Sequence, residues 1–120
     1  RENTHRYMHQ THSLDGGHTW SPPRALPFHG YPAHLQKFPD GRLVCVYGYR
    51  YAPFGIRAVI STDGGNTWDS DHPLIQHDEF PNRDLGYPAS IICDDGSILC
   101  VYYGQDTDGI TCIQSTQFTL

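Results

Sequence analysis

No stretch of this sequence approaches the roughly 18 consecutive apolar residues that a membrane-spanning helix needs, so no membrane span is expected. Blocks of one charge sign are missing too. The formal net charge of -5 is spread along the chain, which argues against nucleic acid as a partner. There is no C-x-x-C pair, and 4 cysteines in 120 residues do not make a disulfide scaffold. Cys45, Cys93, Cys100 and Cys112 sit inside apolar, strand-like runs, where free cysteine acts as a small buried hydrophobe. His9 and His12 have the one metal-like spacing, but three residues apart on an extended strand they point to opposite sides; neither metal nor cofactor is expected. The sequence opens at Arg1 without a methionine or an apolar leader core, and we expect its beginning to be processed or missing.

What the chain does have is glycine, proline and aromatics: 12 Gly, 9 Pro, 8 Tyr, 5 Phe and 2 Trp. Long alanine- or leucine-rich runs are few, so the mixture favours short strands and turns over helices. The length suits one ordinary domain or a piece of a larger one. Eight histidines bring the net charge towards zero in mild acid.

The chain repeats itself. SLDGGHTW, Ser13 to Trp20, returns as STDGGNTW, Ser61 to Trp68, after 48 residues. GYPA occurs at 30–33 and 86–89, PDGRLVCVYG at 39–48 matches DDGSILCVYY at 94–103, and GIRAVIST at 55–62 matches GITCIQST at 109–116. The offsets of these three are 56, 55 and 54, so one unit recurs with small loop adjustments.

Within the central unit, runs at 33–38, 43–49 and 56–61 read as strands, and Trp68 opens a fourth through about Ile75. Four short antiparallel strands per repeated unit point to an all-β fold of propeller blades. A sandwich does not explain why consecutive units share turn sequences. The expected division is 1–29 half a blade, 30–85 a complete blade and 86–120 three strands of a further blade. About two blades cannot close a ring, so the expected partners are missing blades of a parent propeller, or further copies of the chain. A third box is expected after Thr116, where the sequence instead runs QFTL, and this reads as the end of a last blade whose fourth strand comes from the N-terminus.

In the repeated box, Gly17 and Gly65 allow positive φ in a tight turn. Ser13, Asp15, Ser61 and Asp63 supply hydrogen bonds to turn backbone, and Trp20 and Trp68 are expected to anchor neighbouring sheets. The box is a fastener rather than a catalytic unit.

These two boxes resemble the Asp-boxes of the sialidase (neuraminidase) superfamily. YGYRYAPFGIRA at 47–58 and NRDLGYPAS at 82–90 also resemble its sialidase-like glycoside hydrolases. The resemblance covers nearly the whole chain. It implies a six-bladed propeller, a glycan substrate, an exo-acting glycosidase site at the centre of one face, and a secreted or periplasmic location; non-enzymatic propellers carry the boxes too. The 120 residues alone are expected to be inactive, because a ring site draws on several blades.

Antiparallel topology places the boxes on one face of the disc and the segments 23–31, 48–55, 76–87 and 104–109 on the other. The second face receives Tyr31, Arg50, Arg83, Asp84 and Tyr87, with His34 and Arg57 just inside neighbouring strands. Guanidinium groups bind carboxylates in bidentate fashion, a carboxyl group serves as acid or base, and tyrosine stacks on sugar or acts as nucleophile. By resemblance, Arg50 and Arg57 match substrate-facing arginines, Asp84 an acid or base, and Tyr87 a ring-lining tyrosine; Tyr31, His34 and Arg83 join the binding set. A blade-to-blade ion pair is the other reading of Arg50 and Arg57, and a capping role that of Asp84. Asp78 and Glu79 are near enough in sequence to serve as partners for Tyr87.

Overall fold

The computed structural model describes residues 6–120; the first five residues of the 1–29 segment lie outside the described residues. Nine strands follow one another: β1 (Tyr7–Gln10), β2 (Arg24–His29), β3 (Ala33–Lys37), β4 (Leu43–Tyr49), β5 (Phe54–Ser61), β6 (Leu74–Phe80), β7 (Gly86–Ile92), β8 (Ile98–Gln105) and β9 (Thr111–Phe118). Each pairs antiparallel with its sequence neighbour, in sheets β1-β2, β3-β4-β5-β6 and β7-β8-β9. The fold is all-β, as the turn-rich composition requires. No helix long and apolar enough to cross a membrane occurs among the described residues.

The turns between first and second strands form the same way in both units. Phe38 N–H donates to the Arg42 carbonyl at 2.8 Å, and Cys93 N–H to the Ser97 carbonyl at 2.8 Å. Asp40 and Asp95 each accept the backbone N–H two residues on, at 3.0 Å. A short acid next to glycine thus closes the loop with its own side chain.

Alternation along β4 and β5 sends side chains to both sides of the middle sheet. Val44, Val46, Ile56 and Ala58 are fully buried against Phe80, Leu85, Ile98, Cys100 and Tyr102 of the third unit's side. Cys45, Tyr47 and Val59 are buried against Leu26 and Phe28 of the first sheet. Each buried Val, Leu, Ile or Phe among them contributes about 1.5–3 kcal/mol of transfer free energy, which makes the two inter-sheet cores the main cohesion of the chain. Cys45 and Cys100 are buried free thiols; burial alone pushes them up to about 12 and about 11. Cys93 lies just past β7, in the turn rather than in a strand, and Cys112 is half-buried on β9.

The boxes are hydrogen-bonded turns. In the second, Ser61 Oγ donates to Asp63 Oδ1 at 2.8 Å and accepts Gly65 N–H at 2.8 Å, while Asp63 accepts Thr67 N–H at 2.9 Å and Thr67 Oγ1–H at 2.6 Å. Ser13, Asp15, Gly17 and Thr19 repeat the pattern. Gly17 and Gly65 have φ of 93° and 90°, the left-handed region that a side chain resists. Donation from threonine and then serine holds both Asp15 and Asp63 down at about 2.

Three expectations need correction. Trp68 does not open a strand: β6 begins at Leu74, after a bend at Asp71 and His72, and the Trp68 ring packs edge-on to Phe28 at 6.4 Å between centroids. Its Nε1–H donates to Gln10 Oε1 at 2.9 Å, and Gln10 Nε2 donates to the Gly65 carbonyl at 2.9 Å, so the indole is spent on the first sheet. Trp20 is not an inter-sheet anchor in this chain; it is 60% exposed, with Nε1–H on the Gly17 carbonyl at 3.0 Å. The third correction concerns register. Leu43 pairs with Ser61, but its counterpart Ile98 pairs with Phe118. The structural offset of the third strand is therefore 57 rather than the 54 of the GIRAVIST match, and Phe118, not Ser115, stands at the box serine position. A third box has no place at 115–116.

Candidate functional site

The connections 30–32, 50–53, 81–85 and 106–110 lie at one end of the sheets, opposite the boxes. The junction of the middle and third sheets is tight there. A Cβ at Gly48 would meet the Tyr31 carbonyl at 2.9 Å and Gly86 Cα at 3.2 Å, so a glycine is what allows β4 to approach β7. Tyr31 N–H donates to the Gly48 carbonyl at 2.9 Å and fixes the Tyr31 backbone against the end of β4.

Into this junction Arg50 directs its guanidinium carbon 5.0 Å from the Tyr31 ring centroid and 5.8 Å from that of Tyr87. Tyr87 reaches it through an irregular start of β7: pairing skips from Gly86 to Ala89, and Tyr87 has φ of 50°. Pro88 sits inside that irregularity, where no ladder N–H is needed, whereas Pro32 immediately precedes β3. A left-handed non-glycine residue costs of order 1–3 kcal/mol and persists where its surroundings hold it.

The 81–85 connection is pinned at both ends. Leu85 is fully buried, Asp84 N–H donates to Asn82 Oδ1 at 2.8 Å, and Asn82 Nδ2 donates to Gln105 Oε1 at 2.7 Å. Arg83 then donates to the Tyr31 hydroxyl at 3.1 Å. Asp84 Oδ1 accepts the Tyr103 hydroxyl at 2.7 Å, and the Tyr103 ring lies 6.0 Å from Tyr87. Desolvation and then the bond to Asp84 raise the Tyr103 phenol above its ordinary 10.0, so it remains a donor to the carboxylate. Tyr31, Arg50, Arg83, Asp84 and Tyr87 are thus brought into one cluster, and Tyr103 is the member that sequence reasoning missed. A signal existed: Tyr103 stands where the preceding repeat has Gly48, a large ring in place of no side chain.

Two expected members lie elsewhere. Arg57 is on the other side of the middle sheet, its guanidinium carbon 3.5 Å from the Tyr49 centroid. His34 bridges inner strands: its Nδ1 accepts Ser90 N–H at 3.1 Å and pairs with Ser90 Oγ at 2.9 Å, which leaves the neutral ring's proton on Nε2. Asp78 and Glu79 belong to β6, the sheet edge farthest in strand order from β3. Among the described residues the ion pairs are Arg42–Asp40 and His72–Asp69, so neither Arg50 nor Arg57 forms the inter-blade ion pair weighed above. Instead each has a buried Nε without a hydrogen-bond partner.

Residues 1–105 match the family described as the BNR repeat-like domain. The chain belongs to that family. Antiparallel sheets of two to four strands in a BNR-repeat chain are consistent with propeller blades. The chain is also similar to a crystal structure of a protein of unknown function from Dyadobacter fermentans DSM 18053, with TM-score 0.79 and 31% identity, over 92% of this chain and 30% of that one. The BNR-repeat chain therefore spans less than a third of that relative's length. No curated protein matches it.

Proposed function

We propose that this BNR-repeat chain supplies part of the site of a sialidase-like exo-glycoside hydrolase acting on a terminal, carboxylate-bearing sugar, sialic acid being the first candidate. The observation that carries the reading is Arg50: a guanidinium between two tyrosine rings, with a buried Nε–H that has no partner and no ion-paired acid among the described residues. Buried donors in native proteins are nearly always paired, so an orphan on a cation at a loop-built junction suits an anionic ligand. In this reading Arg50, with Arg83 alongside, holds the sugar carboxylate and Tyr31 lines the pocket. Asp84 passes a proton to or from the glycosidic oxygen, and Tyr87 faces the sugar ring as lining group or nucleophile. Arg57, stacked on Tyr49, and His34, bonded to Ser90, stand outside this pocket.

The sheets of two, four and three strands are, in this proposal, a half blade, a complete blade and three strands of the next. Leu99, Val101 and Ile113 take the register positions of Val44, Val46 and Ile56, yet Val101 is 40% and Ile113 76% exposed. A further blade of the same kind fits that open face. Self-association of copies is the competing occupant.

A second reading, glycan binding without hydrolysis, is favoured by one fact: Asp84 is the carboxylate tied into the cluster, while Asp78 and Glu79 lie on the far edge strand. Assay of the full-length protein with 4-methylumbelliferyl N-acetylneuraminide separates them. Product release that falls at least tenfold in both Arg50→Ala and Asp84→Asn supports the hydrolase. Saturable binding without release selects the second reading. Neither binding nor release sinks both.

A further inference from the structure

The far side of the 49–51 segment holds a second group of rings that the Arg50 cluster does not use. Tyr7 and His29 stack at 4.2 Å between centroids, at the same end of the sheets as Arg50. His29 meets Tyr51 at 5.6 Å, and Tyr51 meets Tyr49 at 5.5 Å. Arg57 closes the row, its guanidinium carbon over Tyr49 at 3.5 Å from the centroid. Its Nε is buried without a hydrogen-bond partner, and no acid is ion-paired with it among the described residues.

The row is continuous with the first cluster through the backbone. Tyr49 and Tyr51 leave it on one side, towards His29 and Arg57, while Arg50 leaves it on the other, towards Tyr31 and Tyr87. Tyr51 belongs to neither inter-sheet core and is half-buried, with His29 and Tyr49 as its ring neighbours. Tyrosine combines an apolar face with a polar rim, which suits the C–H face and the hydroxyl edge of a pyranose together. The unpaired Arg57 donor then needs an oxygen at the end of the row.

We infer that this row is a second sugar position, which takes the units following the terminal sugar, with a ring on Tyr51 and His29 and a hydroxyl or carboxylate oxygen on Arg57. The ligand is thereby a glycan chain of two or more units rather than a free monosaccharide. The inference rests on the reading of Arg50 as the acidic-sugar position and adds chain length to it.

Calorimetric titration of the full-length protein tests this with two ligand pairs: N-acetylneuraminic acid with its lactoside, and galacturonic acid with trigalacturonic acid. Under conditions without turnover, one trisaccharide is expected to bind at least tenfold more tightly than its own monosaccharide. Tyr51→Ala should abolish that ratio while leaving the monosaccharide Kd unchanged, Tyr51→Phe should keep it, and Arg50→Ala should weaken both members alike. Equal affinity within both pairs, or a ratio that survives Tyr51→Ala, overturns the second position and leaves the Arg50 reading standing. Absence of binding by all four overturns both.

Discussion

Tyr103 on β8 donates its hydroxyl hydrogen to Asp84, on the connection that leads into β7, at 2.7 Å. This bond joins two segments that meet only because the third sheet folds back on itself, and it ties the candidate acid to a strand. Tyr103 is expected to ionise above the ordinary 10.0, first from desolvation and then from Asp84. In Asp84→Asn the second cause goes and the first stays. NMR titration of ring-labelled tyrosine should find Tyr103 ionising at lower pH in the variant than in the wild type. An unchanged midpoint would mean that the two groups do not interact in solution.

The box acids set a pH dependence of stability. Asp15 and Asp63 are depressed to about 2 from an ordinary 3.8, so the folded state binds protons less readily than the unfolded one. Their stabilisation is complete above about pH 4 and is lost as pH falls towards 2. Tm measured from pH 6 to pH 2 should fall below about pH 4, and more shallowly in a D15N/D63N double variant that starts from a lower Tm. Asp40 and Asp95, depressed by their own turn bonds, should keep some slope in that variant. Parallel curves would remove the boxes as its source.

The two box tryptophans should differ. Trp68 packs on Phe28 and bonds Gln10, so Trp68→Ala should cost about 2 kcal/mol through lost packing and an unpaired Gln10. Trp20 is mostly exposed, and Trp20→Ala in the 120-residue chain should cost less than about 1 kcal/mol. Urea unfolding of both variants gives the comparison; equal losses would contradict the contacts described.

The open face of the third sheet makes a prediction about context. If a further blade covers it, Val101→Asp should destabilise the full-length protein by about 2 kcal/mol or more, the scale of a buried unpaired charge. In the 120-residue chain the same change should be nearly neutral, since Val101 is 40% exposed there. Light scattering on the chain settles the competing occupant: a concentration-dependent oligomer dissolved by Val101→Asp would assign the face to copies of itself.

Strands and turns were legible wherever a residue's local chemistry decides its structure. Asp-Gly turns, apolar alternation in β4 and β5 and the paired glycines of the boxes each act over a few residues. The site was legible in part, since topology alone carried Tyr31, Arg50, Arg83, Asp84 and Tyr87 to one end of the sheets. Resemblance groups Arg57 with that cluster but says nothing of which side of a sheet a residue leaves, whereas His34 leaves on the Arg50 side and is held by Ser90. Alternation along β4 does say it for Arg57, since Tyr47 and Tyr49 share one side and Tyr47 pairs with Arg57 directly. The third-strand register escaped because a three-residue change in the 2–3 connection moves the pairing without disturbing the resemblance of the words.

That alternation bears on how the molecule can change over evolutionary time. Tyr49, Arg50 and Tyr51 serve two compartments from one short connection, ring to one side and guanidinium to the other. A change of chain length there would move cation and aromatic together, since both follow directly on the end of β4. One short connection therefore shapes both compartments, and selection acting on either protects the other.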